Sequence, residues 1–425
     1  MQVWSALAGR RRRVITGCYY PRVKLRRSLA LAAVAGASLV IAGIRAQQNA
    51  QPSVSATTAV VVRPIAPPAT PLPDERDSAA VTKFSFVAYG DTRSANDPNV
   101  PGDGQIIQLQ HNRIVDRVID KTRALASTPF PIRFVLQSGD AVLRGTEAAM
   151  WNVSFNPIIE RLTKDVDLPY YFTAGNHDVA AGGEAGRTLG LQHTLMAISK
   201  LIPPDGSPRR LSGYPAYAFG YGNSFFIALD SNIADDQTQL AWVTNQLEHL
   251  DRRRYRHVIA FFHHPPFSSG PHSRTAAEAS GQKLADRPEP QTAAIRSLWL
   301  PLFRKHHVDL TITGHDHLFD HWVEHYVDGG RTYRIDHVVT GGGGAPTYTY
   351  IGEPDLRAYI SANAAQNVRL DHPMKPGVTV DMNPPHFVTF RVDGNCLALE
   401  VTGMGSGDYK PYGDRAVAVL SGCSS

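Results

Sequence analysis

The chain has 425 residues, of which 43% are hydrophobic and 19% charged, and a formal charge of +5. These are ordinary fractions for a globular protein, and the length suits two or three domains. Residues 1–46 hold nine Arg or Lys and no acid, and without those nine charges +5 becomes −4, so the basic pI excludes nothing and argues for no specific nucleic-acid surface.

Those basic residues fall in a pattern. Val23 to Arg27 is a short basic region, Ser28 to Ile44 is uncharged and rich in Ala, Leu and Val, and Ala46 offers a small residue for cleavage. Residues 1–46 therefore read as an export signal, cleaved or retained as an anchor, which would be the chain's contact with a membrane. The Ala and Gly content weighs against a permanent span. Arg26-Arg27-Ser28-Leu29 also admits a twin-arginine reading, and initiation at Val23 would account for the unusual residues ahead of the signal. Residues 47–82, rich in Pro, Ala, Thr, Ser and Val, predict a disordered exported linker. A periplasmic or secreted location is the expectation.

The folded domain is expected over 83–405, with 406–425 as a tail. Phe84 to Tyr89 predicts a strand that ends at Gly90-Asp91-Thr92-Arg93. A helix follows over 105–125, supported by Ile106, Leu109, Ile114, Val118 and Ile119 at near-helical spacing. Ile132 to Leu136 is a second strand, ending at Gly139-Asp140, and Glu147 to Leu162 a helix interrupted near Pro157. A third strand, from Leu168, ends at Gly175-Asn176-His177-Asp178. Residues 181–215 read as a Gly/Pro-rich loop with one short helix. Phe225 to Leu229 is a strand, Gln237 to Leu250 a helix, and Val258 to Phe262 a strand ending at His263-His264-Pro265-Pro266. After a loop at 268–290 come a helix over 292–306 and a strand over 308–313 that ends at Gly314-His315-Asp316-His317. Arg334 to Thr340 is a strand running into four glycines, 345–385 is irregular, and 386–392 with 396–401 form a closing hairpin. No repeat is visible. Cys18 belongs to the signal, which leaves Cys396 and Cys423 either as a disulfide or as two thiols.

Strands alternating with helices define an α/β class. The first strand is not followed by G-x-G-x-x-G, which disfavours a doubly wound dinucleotide fold. Strand ends in an α/β sheet converge on one crevice, and here they carry Asp91, Asp140, Asn176, His263, His315 and His317. So many buried oxygen and nitrogen donors need a cation to hold them together. Carboxylates with imidazoles suit Fe, Mn or Zn, and the absence of Cys argues against a structural zinc site. The donors exceed what one tetrahedral ion takes, so two ions sharing a carboxylate are expected, an arrangement suited to phosphate-ester hydrolysis.

The order of these motifs resembles the calcineurin-like metallophosphoesterase superfamily, which includes the purple acid phosphatases. Its pattern is an Asp after strand one, then Gly-Asp, Gly-Asn-His-Asp, a His before Pro, and Gly-His-x-His. The resemblance covers residues 83 to about 344, with the closing strands fitting to about 403. It implies a four-layer α/β/β/α sandwich with a dimetal site at the sheet rim. It further implies that Asp140 bridges the metals, that Asp91 and His317 complete one site, and that Asn176, His263 and His315 complete the other. His264 is left as a substrate-side or structural residue. His177 becomes the catalytic residue that protonates the leaving oxygen or steadies the transition state, oriented by Asp178. The chain departs from the pattern at Arg93, where most members have a metal-binding His; the Tyr by which purple acid phosphatases compensate is Leu143 here. That leaves no basis for expecting the purple colour. Water is expected to fill the first site; His111, on the helix that follows, is a candidate replacement ligand, with an ordinary helix-surface histidine the favoured alternative, and Arg93 either binds substrate phosphate or is an ion-paired arginine at a strand exit. The activity expected is phosphomonoester hydrolysis of a small phosphate ester. A phosphodiesterase or nucleotidase, and an inactive metal-holding binding protein, are the alternatives.

Overall fold

The computed structural model describes residues 61–93, 108–179, 183–273, 288–405 and 408–423. The expected export signal lies outside them. Among the described residues no helix is long and apolar enough to cross a membrane.

In chain order the strands are β1 (Lys83–Tyr89), β2 (Ile132–Gln137), β3 (Tyr170–Phe172), β4 (Tyr217–Tyr221), β5 (Ser224–Ala228), β6 (His257–Phe261), β7 (Leu310–Thr313), β8 (Phe319–Asp328), β9 (Arg331–Thr340), β10 (Arg369–Met374), β11 (His386–Asp393), β12 (Cys396–Gly403) and β13 (Val417–Ser421). They form a six-stranded sheet in the order β13-β12-β11-β1-β2-β3 and a seven-stranded sheet in the order β10-β8-β9-β7-β6-β5-β4. Each sheet contains a parallel run, β1-β2-β3 at one end of the first and β5-β6-β7-β9 inside the second, and antiparallel strands extend it. Each run therefore sends several C-terminal ends to one rim.

Alternation along the strands builds the layers. Phe226, Ile259 and Phe261 point to the layer shared with Phe86, Phe134 and Phe390 of the first sheet, where Phe86 stacks on Phe390 at 5.0 Å and meets Phe226 edge-on at 5.2 Å. Their neighbours Phe225, Ile227, Val258 and Ala260 point the other way, onto Val243 and Leu247 of helix Gln237–Glu248 and onto Ile295, Trp299 and Phe303. On the outer face of the first sheet, Ile114, Val115 and Val118 of helix Leu109–Leu125 are fully buried. Both sheets are thus covered on both faces, the four-layer α/β/β/α sandwich.

The packed unit extends past 83–405. Val62 and Ile65 are core residues, so the end of the expected linker is ordered, and β13 adds an edge strand to β12. A disulfide joins Cys396 to Cys423 and ties that edge to its neighbour. Residues 181–215, expected as loop with a short helix, contain a helix over Gly183–Ile198 and most of the approach to β4. Its buried face carries Gly190, Thr194 and Ala197, with Ile198 the one large apolar residue at its end, so helical periodicity was muted. The region 345–385 likewise contains helix Arg357–Ala362 and β10.

Candidate metal centre

Every expected donor lies just beyond a strand C-terminus: Asp91 after β1, Asp140 after β2, Asn176 after β3, His263 after β6, His315 and His317 after β7. The first three come from one sheet and the imidazoles from the other. Asp91, Asp140 and His315 have φ of 60°, 56° and 71°, left-handed backbone that costs non-glycine residues about 1–2 kcal/mol each. Tertiary bonds hold them there. Asp91 N–H donates to the Gly139 carbonyl, and His315 N–H donates to Asp91 Oδ2 at 2.9 Å. The approach is close: a Cβ on Gly175 would lie 2.2 Å from Asp140 Oδ1, and one on Gly314 would lie 2.2 Å from Asp91 Oδ2.

The imidazole protons are placed by what lies behind each ring. His263 Nδ1 faces the Ser138 carbonyl at 3.0 Å, and His317 Nδ1 faces the Pro346 carbonyl at 2.7 Å. His315 Nε2 faces Glu289 Oε2 at 3.0 Å. An acceptor behind the ring puts the proton on that nitrogen and turns the opposite lone pair inward. Inward-facing acceptors consequently meet. His263 Nε2 lies 2.9 Å from Asn176 Oδ1, 3.1 Å from His315 Nδ1 and 3.4 Å from Asp140 Oδ1. His317 Nε2 lies 3.5 Å from Asp91 Oδ1, a buried oxygen without a hydrogen-bond partner. Acceptors directed at one another in a buried cluster are stable only around a cation. The residues therefore fit a metal centre, and its donors fall into two groups that share Asp140. Asp140, Asn176, His263 and His315 make a group of four. Asp91, Asp140 and His317 make a group of three whose donor atoms lie within 4.8 Å of one another.

The electrostatics agree with neutral imidazoles. Burial pushes the pKa of His263 and of His317 down to about 3 and that of His315 to about 4. Burial, reinforced by the neighbouring Asp140 charge, raises Asp91 well above the usual carboxylate range. Asp140 goes the other way: burial works to raise it, but His263, His177 and Arg93 hold it below that range.

Several roles differ from expectation. Asp178 does not orient His177. Its carboxylate accepts the backbone N–H groups of Asp140, Ala141, Val142 and Gly175, and so builds the turn that carries Asp140. The His177 ring is held instead by the Leu143 carbonyl, 2.8 Å from Nδ1, which leaves Nε2 facing the rim 3.9 Å from Asp140 Oδ2. His111 is neither a replacement ligand nor a surface residue. It is fully buried, with Nδ1 2.8 Å from Gln108 Oε1 and Nε2 3.3 Å from the Tyr89 hydroxyl. His264 is buried with Nδ1 2.9 Å from Ser231 Oγ. Arg93 reaches into the three-donor group: Nε donates to Asp140 Oδ2 at 3.3 Å, and Nη2 lies 3.4 Å from His317 Nε2.

Glu289 was missed. It precedes helix Pro290–Ala294 inside a stretch that reads as loop, and only the fold brings it to His315 and to His272, whose Nδ1 is 3.1 Å away. Burial opposes its ionisation, but hydrogen bonds from those two imidazoles hold it well below the normal glutamate range. Tyr348 was missed too; it stacks on His317 with centroids 4.2 Å apart.

A two-sheet α/β/β/α sandwich with a carboxylate and imidazole rim is the architecture of a metallophosphoesterase. A family model for calcineurin-like phosphoesterases matches residues 108–319, and the chain belongs to the calcineurin-like metallophosphoesterase superfamily. Among solved structures it is similar to purple acid phosphatase PPD1 from yellow lupin (Lupinus luteus) seeds, with 18% identity, a TM-score of 0.51, and coverage of 78% of this chain and 53% of that one. The chain thus spans about half the length of that phosphatase. It is also similar to GAP50, the anchor in the inner membrane complex of Plasmodium, with 14% identity, a TM-score of 0.45, and coverage of 77% and 87% of the two chains. A stretch of 164 residues, 39% of this chain, is 27% identical to 8% of a probable RNA-directed RNA polymerase of Saccharomyces cerevisiae virus L-BC.

Proposed function

We propose that the chain is a metal-dependent phosphoric ester hydrolase acting on phosphate monoesters. The convergence of inward-facing lone pairs from Asp140, Asn176, His263 and His315 supports this reading most directly. Fe, Mn or Zn suits that mixture of carboxylate, amide and imidazole. A cation held there supplies hydroxide at neutral pH and neutralises phosphate charge. The protein's own residues do the rest. Glu289 fixes the tautomer of His315, and Arg93 offers N–H donors to phosphate oxygens. As the imidazolium, His177 would keep its Nδ1 proton on the Leu143 carbonyl and give its Nε2 proton to the leaving oxygen as general acid, ending as the neutral ring.

The test is hydrolysis of mono- and bis-nitrophenyl phosphate by metal-loaded protein, with metal measured on the same preparation. Faster monoester turnover is the expected result. A preference for the diester would replace the monoesterase reading with a phosphodiesterase. Full metal with no turnover on either would leave a metal-holding binding protein. Replacing His177 by Ala is expected to lower turnover about 10²–10³-fold while bound metal stays unchanged; metal loss would make His177 a ligand.

Export is the accompanying proposal. The composition of residues 1–46 and the disulfide between Cys396 and Cys423, a bond favoured in oxidising compartments, both support it. Mass spectrometry of the mature N-terminus tests it, and a peptide from residues 1–22 would reject initiation at Val23.

A further inference from the structure

The two groups of donors are not equivalent, and Arg93 makes the difference. His317 has one inward lone pair, because its Nδ1 proton is engaged by Pro346. Arg93 Nη2 lies 3.4 Å from the nitrogen that carries it, and Arg93 Nε bonds Asp140 Oδ2, the oxygen left when Oδ1 faces the four-donor group. A metal ion in the three-donor group would need that same imidazole lone pair at about 2.0–2.1 Å and a carboxylate oxygen at about 2.0–2.2 Å. An imidazole nitrogen cannot serve both. A guanidinium has no lone pair to coordinate with and keeps its proton at any ordinary pH, so Arg93 cannot join the coordination sphere. It repels a cation there instead. Nor is it loosely placed: its side chain is 13% exposed, and its backbone N–H donates to the Asp140 carbonyl at 3.2 Å.

We propose that this chain holds a single metal ion, in the group Asp140, Asn176, His263 and His315, and that the guanidinium of Arg93 stands in place of a second cation. The arginine neutralises Asp140 from the side opposite the ion. Its two contacts engage two of five N–H donors, and the others suit the non-bridging oxygens of a phosphate ester. The second positive charge at the rim is then covalently part of the chain and cannot be removed by a chelator. This inference rests on reading the rim as a metal-dependent phosphoesterase centre.

The experiment is equilibrium dialysis of demetallated protein against Mn²⁺, followed by elemental analysis and electron paramagnetic resonance. The unmodified chain is expected to retain about one Mn²⁺ and to show the hyperfine pattern of an isolated ion. Arg93→His removes the competing charge and offers an imidazole nitrogen about as far along the side chain as the guanidinium Nε. That variant is expected to retain about two Mn²⁺, with the pattern of an exchange-coupled pair. If the variant fails to fold, the count on the unmodified chain decides alone. A coupled pair in the unmodified chain overturns the single-ion inference and leaves the phosphoesterase reading standing. Retention of no Mn²⁺, Zn²⁺ or Fe by either protein overturns both.

Discussion

Two buried polar clusters in this protein are built from similar residues and behave oppositely. Behind the second sheet, Arg304 donates to Glu324 at 2.6 Å, to Tyr359 at 2.9 Å and to Gln366 at 2.7 Å. Tyr359 in turn donates to Glu324 at 2.9 Å, and His337 Nε2 closes on the other Glu324 oxygen at 3.4 Å. Each donor there meets an acceptor, so the network is complete without any further component. At the metal rim acceptors face acceptors, Asp91 Oδ1 has no partner, and three residues hold left-handed backbone. A cluster closed on itself is architecture, whereas one whose lone pairs point at each other is a receptor for positive charge.

The contrast can be broken by experiment. The largest effect is expected from Asp140→Ala, which removes an oxygen from both donor groups: phosphoesterase turnover is expected to fall at least about 10³-fold, with loss of bound metal by elemental analysis. Retained metal and turnover would remove Asp140 from the centre. Glu324→Ala attacks the other cluster and strands Arg304 in the core. It is expected to cost about 3–5 kcal/mol of stability in urea unfolding while metal per folded chain stays constant. A third cluster sharpens the comparison through pH. His372 stacks on Trp322 and bridges Asp320 at 2.5 Å and Glu353 at 2.9 Å. Burial opposes its charge, but the two carboxylates win and raise its pKa to about 9. A raised imidazole pKa stabilises the fold fully below the unfolded value, near 6.5, and the contribution disappears as pH rises through about 9. His372→Asn should therefore cost up to about 3 kcal/mol at about pH 6 and far less at about pH 10. Equal losses at both would assign its role to packing. The smallest effect is expected from Glu289→Gln, which keeps the shape and removes the charge behind His315. Metal affinity should weaken about 10–100-fold by competition with a chelator, with the melting temperature of the metal-free protein unchanged.

The positions of the candidate donors were legible because each residue follows an apolar run and a sharp polar break, a local signal. β8 was not, although it is ten residues long. Its sequence FDHWVEHYVD places Asp320, His321 and Glu324 in the interior, so its buried face does not look apolar. Those side chains are tolerable inside only because His372, Asp336 and Arg304 meet them there, and such partners have no local signature. The length of helix Gly183–Ile198 was hidden for a related reason. Apart from Ile198 it packs through small residues, and the close approach that makes them fit exists only once Asp178 lies against Gly190.

The sequence by itself determined the alternation of strands and helices, the residues that end each strand, and therefore the kinds of donor available at the rim. These depend on side chains a few positions apart, whose directions the backbone period sets. The tertiary structure decided the chemistry each one offers. Which nitrogen of His317 keeps its proton depends on Pro346, Asp178 is a backbone acceptor rather than a partner for His177, and Arg93 meets His317 across 224 residues of chain. A lone pair has a direction, and that direction is fixed by what stands behind the ring, which local sequence does not specify.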